Sequence, residues 1–280
     1  MIIDSHTHIF SPEVIQNREK YCTSDSCFGL LYSQEKSRMG TAEDLISIMD
    51  QRRVSRSLVL NIGWDSHEMC VRTNDYILEA AARYPERLTA LCSIQPRAGE
   101  RALKEIERCH KAGARGFGEL RPDVQGFDLL DTSVMSAVVE LIIKLDMVLS
   151  VHASEPVGHE YAGKGKTTPD ILYPFICLYP GLKILLGHFG GGLAFYELMP
   201  EVARNLQNVY YDTAAAPFLY SPQIYKMLIA VGCGHKILFG SDWPLLDPAR
   251  IIDHIKALPP ESGDLEDILY ANAGKFLGIT

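Results

Sequence analysis

Eight short apolar runs recur along the chain: Ile2 to Asp4, Ser57 to Ile62, Leu88 to Ile94, Ala114 to Glu119, Met147 to His152, Lys183 to His188, Val209 to Asp212 and Lys236 to Ser241. Several are continuously apolar rather than alternating, the pattern of strands covered on both faces. Helical signals fall between them. Thr41 stands as an N-cap before Ala42-Glu43-Asp44-Leu45, Asn74 to Tyr84 precedes Pro85, Glu100 to Ala112 stops at Gly113, and Ser133 to Leu145 carries apolar positions at helical spacing. Eight strand–helix units predict an α/β chain closed into a (β/α)8 TIM barrel. The irregular stretch from residue 10 to residue 40 is an insertion after strand one, suited to a lid or one pocket wall. A doubly wound open sheet is the structural competitor, but no GxGxxG turn follows the first strand.

The 280 residues suffice for one barrel domain spanning 1–280, and nothing in them demands a second core. With 47% hydrophobic and 22% charged residues, a packed interior is expected rather than disorder. The net charge of -8 and the lack of a basic run argue against a nucleic-acid partner. Met1-Ile2-Ile3-Asp4-Ser5-His6 places a charge and a histidine where a secretory signal needs apolar residues, and no segment has the apolar length of a membrane span. A cytoplasmic location is the expectation. The 7 cysteines are odd in number and form no CxxC pair, so reduced thiols are expected rather than a disulfide framework.

Candidate chemistry gathers at the ends of the apolar runs. His6-Thr7-His8 is the sharpest signal, because residues two apart on an extended chain project to one side and both imidazoles can face one ion. Alone, the pair carries even weight as two satisfied polar residues. Glu119, His152, His188 and Asp242 end or follow four later runs, and a barrel gathers strand ends at one mouth. Burying so many ionisable groups without a partner is expensive, and a divalent cation offsets that cost.

Taken together, His6-Thr7-His8, His152, His188 and Phe239-Gly240-Ser241-Asp242-Trp243-Pro244 resemble the signature of the amidohydrolase-2 branch of the amidohydrolase superfamily, over Asp4 to Asn272. That branch includes aminocarboxymuconate-semialdehyde decarboxylase, resorcylate decarboxylase and several lactone hydrolases. The resemblance implies His6, His8, His152 and Asp242 as metal ligands, and a catalytic or second-metal role for His188. Glu119, in Gly116-Phe117-Gly118-Glu119, is also similar to a TatD-like glutamate that bridges two metals. It joins the expected ligands, with one ion or two left open. Its bland alternative is a surface carboxylate.

The expected activity is hydrolysis of a small carboxylate-bearing lactone, amide or ester through metal-activated water, with Asp242 as general base and His188 as catalytic partner. Metal-dependent, non-oxidative decarboxylation of a small unsaturated or aromatic carboxylic acid is the alternative. A non-catalytic metal-binding protein is the contrasting class. Zn2+ leads as the cofactor, with Mn2+ or Fe2+ as substitutes. Arg121 is the candidate for a substrate carboxylate, because its fork matches two oxygens, against a surface arginine beside Asp123. The polar, glycine-rich segment after His152 offers Glu155, His159, Tyr161 and Lys164 for substrate binding, and Trp243 offers a pocket wall. A homodimer is the default oligomeric expectation.

Overall fold

The computed structural model describes residues 1–279. Eight strands run in chain order, each parallel to the last: β1 Ile3–Thr7, β2 Arg56–Leu60, β3 Leu88–Cys92, β4 Gly116–Leu120, β5 Val148–Val151, β6 Lys183–Leu186, β7 Val209–Asp212 and β8 Ile237–Leu238. Closure follows from bonds between the first and last strand regions. Ser5 N–H donates to Phe239 O at 2.7 Å, Asp242 N–H to His6 O at 2.9 Å, and His8 N–H to Trp243 O at 2.7 Å. Each expected strand is present, and the whole is a (β/α)8 barrel surrounded by helices.

Burial explains the continuous apolar runs. The outward strand residues Val59, Ala90, Phe117, Leu149, Ile184 and Tyr211 meet the helices in the main core, while Ile3, Leu58, Leu60, Leu91, Leu185 and Leu238 form a separate cluster with Phe276 and Leu277 of the last helix, Asn272–Leu277. Both strand faces therefore leave water, the arrangement that gives parallel sheets their unbroken hydrophobicity. Thr41 caps the helix Ala42–Arg52 as expected, in a reciprocal box with Asp44. The three other expected helices are His67–Arg83, Glu100–Lys111 and Thr132–Lys144.

The insertion after β1 is more ordered than its sequence suggests. It holds three short helices, Pro12–Gln16, Arg18–Ser24 and Ser26–Tyr32. They are held by an aromatic cluster in which Phe28 stacks on Trp64 at 5.2 Å and on Tyr32 at 4.9 Å. Among the described residues no helix is long and apolar enough to cross a membrane. All seven cysteines are unpaired, and five of them are buried.

Candidate metal centre

The strand ends deliver their polar residues to one place. Register between β1 and β2 shifts between Asp4 and Thr7, and the His6 and His8 rings emerge with their Nε2 atoms 3.1 Å apart. Each ring is fixed from behind: His6 Nδ1 lies 2.7 Å from Asp212 Oδ2, and His8 Nδ1 lies 2.9 Å from Leu60 O. His188 is held the same way, with Nδ1 2.9 Å from Ala214 O. A backbone carbonyl or carboxylate behind an imidazole selects the Nδ1–H tautomer and leaves Nε2 as a bare lone pair.

Glu119 stands between the two halves of the cluster. Its Oε1 is 2.9 Å from His152 Nδ1 and 3.8 Å from His188 Nε2, and its Oε2 is 3.9 Å from His6 Nε2. Its position depends on Gly118, whose φ of 131° and contact with the Ser150 carbonyl leave no room for a Cβ. Asp242 completes the mouth, with Oδ1 3.3 Å from His8 Nε2 and 3.8 Å from His6 Nε2.

This donor set fits a divalent cation. Two overlapping groups have ligand atoms close enough to share an ion, His6, His8 and Glu119 in one and Glu119, His152 and His188 in the other, all six positions filled by buried residues. With Nδ1 of His6 and His8 both turned to partners, their Nε2 atoms at 3.1 Å call for a positive charge between them, either a proton on one ring or an ion. The electrostatics agree. Burial alone would lower His6, but Asp212, Glu119 and Asp242 lift it to about 10. Burial would raise Asp242, yet His8, His6 and His188 hold it at about 2. Glu119 is likewise held well below its usual value against burial, first by His152. His152 falls to about 4 through burial and the nearby Arg121 charge.

The six expected ligands thus converge. The substrate candidates divide. Arg121 is 2% exposed, so it is not a surface residue; its Nη2 donates to Gly163 O at 2.7 Å, and its Nε has no partner. Glu155 has a buried, unpartnered Oε1, and Tyr161 is half-buried beside it. Trp243 is buried against Gly40 of the β1 insertion, where a Cβ would overlap its ring. His159 is exposed, and the Lys164 amine is taken up by Glu160 Oε1 at 2.9 Å, so neither is brought to the cluster.

Asp212 is the residue that sequence reasoning passed over as a strand end. Besides His6, it accepts from the backbone N–H groups of His188 and Ala214 through Oδ1, both at 3.0 Å. One carboxylate therefore orients two histidines from two strands. The signal was present: Asp212 ends an apolar run as His152 does.

The amidohydrolase family profile matches residues 3–279. The chain belongs to the amidohydrolase family. It is 22% identical over 253 residues to 2-amino-3-carboxymuconate-6-semialdehyde decarboxylase of Dictyostelium discoideum, covering 77% of this chain and 68% of that one. It is 22% identical over 252 residues to gamma-resorcylate decarboxylase of Polaromonas sp., covering 74% of this chain and 76% of the relative. Its fold superimposes with a TM-score of 0.79 on 5-carboxyvanillate decarboxylase of Novosphingobium aromaticivorans complexed with manganese and 4-hydroxy-3-methoxy-5-nitrobenzoic acid. The two are 18% identical, over 99% of this chain and 96% of that one. Decarboxylases, not the expected hydrolases, are thus prominent among the similar proteins of this metal-binding family.

Proposed function

We propose that this amidohydrolase is a metal-dependent, non-oxidative decarboxylase of a small unsaturated or aromatic carboxylic acid. The supporting observation is Arg121. Its guanidinium is buried beside His152 and, among the described residues, has no carboxylate within ion-pair distance and makes a single hydrogen bond. An unpaired buried cation costs several kcal/mol, roughly, and a substrate anion supplies the missing counter-charge. The two curated relatives, both decarboxylases, support the same chemistry.

His6, His8 and Asp242 would hold the ion with Glu119, leaving His152 and His188 beside it. Mn2+ is the first choice, because a similar structure contains it, and Zn2+ suits the same mixed donors. When bound, such an ion would supply positive charge to substrate oxygens. Arg121 orients the acid through its fork. When the C–C bond to the carboxylate breaks, its electron pair stays on the substrate carbon and carbon dioxide leaves. A proton must then reach that carbon. His188, whose Nδ1 is turned to Ala214 O, can take a proton from solvent at Nε2 and pass it to that carbon.

One observation favours the hydrolytic reading, the sharing of Glu119 between two ligand groups, which suits a two-ion centre acting on a lactone, amide or ester. Metal per chain, measured with carbon dioxide release and ring opening on aromatic acids and carboxylated lactones, separates the two. Carbon dioxide release that Glu119→Gln lowers together with metal content supports the proposal. Hydrolysis without carbon dioxide, at about two ions per chain, overturns it.

A further inference from the structure

The loops after β5, β6 and β7 meet beside the ligand cluster. Ser154 Oγ lies 3.1 Å from His152 Nε2 and accepts from Gly165 N–H at 2.8 Å. The Gly191 backbone presses on the Ser154 carbonyl, where a side chain would not fit, so the loop carrying Glu155 is fastened to the turn that follows His188. Tyr220, beyond β7, packs edge-on against Phe189 of that same turn at 5.4 Å.

Among the described residues, neither the buried Glu155 Oε1 nor the buried Tyr220 hydroxyl has a hydrogen-bond partner. The two lie on either side of one turn, since the Tyr220 hydroxyl stands beside Gly192 while Gly191 meets the Ser154 backbone next to Glu155, and the Glu155 carboxyl, after burial, helps push the Tyr220 phenol above its ordinary value. Gly165, bonded to Ser154 Oγ, lies beside Arg121 Nη2 and His152, so the loop that carries Glu155 borders the reaction centre. Leaving a buried acceptor unsatisfied costs about 1–3 kcal/mol, and a ligand donor removes that cost.

We propose that Glu155 and Tyr220 are a specificity-determining pair that reads a hydrogen-bond donor, a hydroxyl or amino group, on the substrate, apart from the carboxylate taken by Arg121. This assignment rests on the carboxylic-acid reading of the site. A site built to bond a substrate hydroxyl discriminates strongly against the analogue that lacks it, because its own buried groups are then stranded.

The test is calorimetric titration of the metal-loaded protein with benzoate, the three monohydroxybenzoates and 3-aminobenzoate. At least one donor-bearing acid should bind about 10- to 100-fold more tightly than benzoate, the range for a hydrogen bond to a charged group. Glu155→Leu and Tyr220→Phe should each reduce that preference, read as the ratio of the two Kd values. Equal binding of benzoate and all donor-bearing acids overturns the assignment, as does a preference that both variants retain. A lost preference in the variants without carbon dioxide release from any acid would sustain the pair and sink the decarboxylase reading. Carbon dioxide release with the preference intact in both variants would do the reverse.

Discussion

Replacing Asp212 by Asn should weaken metal binding through a single proton. The carboxylate accepts from His188 and Ala214 N–H groups at Oδ1 and holds His6 Nδ1 at Oδ2. An asparagine has only one oxygen. If that oxygen stays with the two backbone donors, its NH2 group faces His6 Nδ1 and requires a lone pair there. The imidazole proton then moves to Nε2, the atom needed for the ion. The flipped amide instead strands two buried N–H groups at roughly 1–3 kcal/mol each, so the first arrangement wins. Loss of an outer partner of this kind costs about 10- to 100-fold in metal affinity, or about 1.4–2.8 kcal/mol. Metal-free protein should also lose stability, because Asp212 is what lifts His6, but less than in Asp212→Ala, which abandons the backbone bonds as well. Metal Kd is measured by chelator competition, and the His6 tautomer by long-range 1H–15N correlation in the Zn2+-loaded form. An unchanged Kd with the proton still on Nδ1 would refute the reasoning.

Arg121→Met should raise KM for a carboxylic acid about tenfold or more, yet leave Tm unchanged or higher by about 2–4 °C, since it removes a buried cation that has no counter-ion. A Tm loss of similar size would show that the guanidinium stabilises the empty protein. Away from the mouth, Glu105 is lowered from its ordinary 4.5: burial opposes the shift, but Arg108 and Asn74 overcome it, with Arg108 Nε and Nη2 at 2.7 and 2.8 Å. A depressed folded-state value means that this stabilisation is full above about pH 4.5 and fades as pH falls through the folded value. Urea midpoints should therefore separate wild type from Glu105→Gln at pH 6 and converge on acidification; a gap that widened with acid would reverse the sign.

The barrel was legible because each strand is buried on both faces, so its run of apolar residues is unbroken and its polar ligand marks the end. The three helices between residues 12 and 32 were not. They span 5 to 7 residues, too short for a helical period, and their stability comes from Phe10, Phe28, Tyr32 and Trp64, partners that only tertiary structure brings together. The six metal candidates were legible by residue type and position. Asp212 requires knowing that β7 returns behind both β1 and the turn after β6. His159 and Lys164 had suitable chemistry, but nothing in a loop sequence says which side chains turn inward.

The seam between β1 and β8 also has a consequence in time. Asp4 accepts from Ser241 N–H across 237 positions of sequence, and the neighbouring His6 and His8 meet Asp242 at the same seam. At roughly 5–20 residues per second, a ribosome takes on the order of 10–50 s to travel between them. Throughout that interval the nascent chain has its first histidines and no aspartate to complete their site. A chain stopped before β8 would lack both the Asp242 carboxyl that faces these histidines and the Ser5–Phe239 and Asp4–Ser241 bonds that close the barrel.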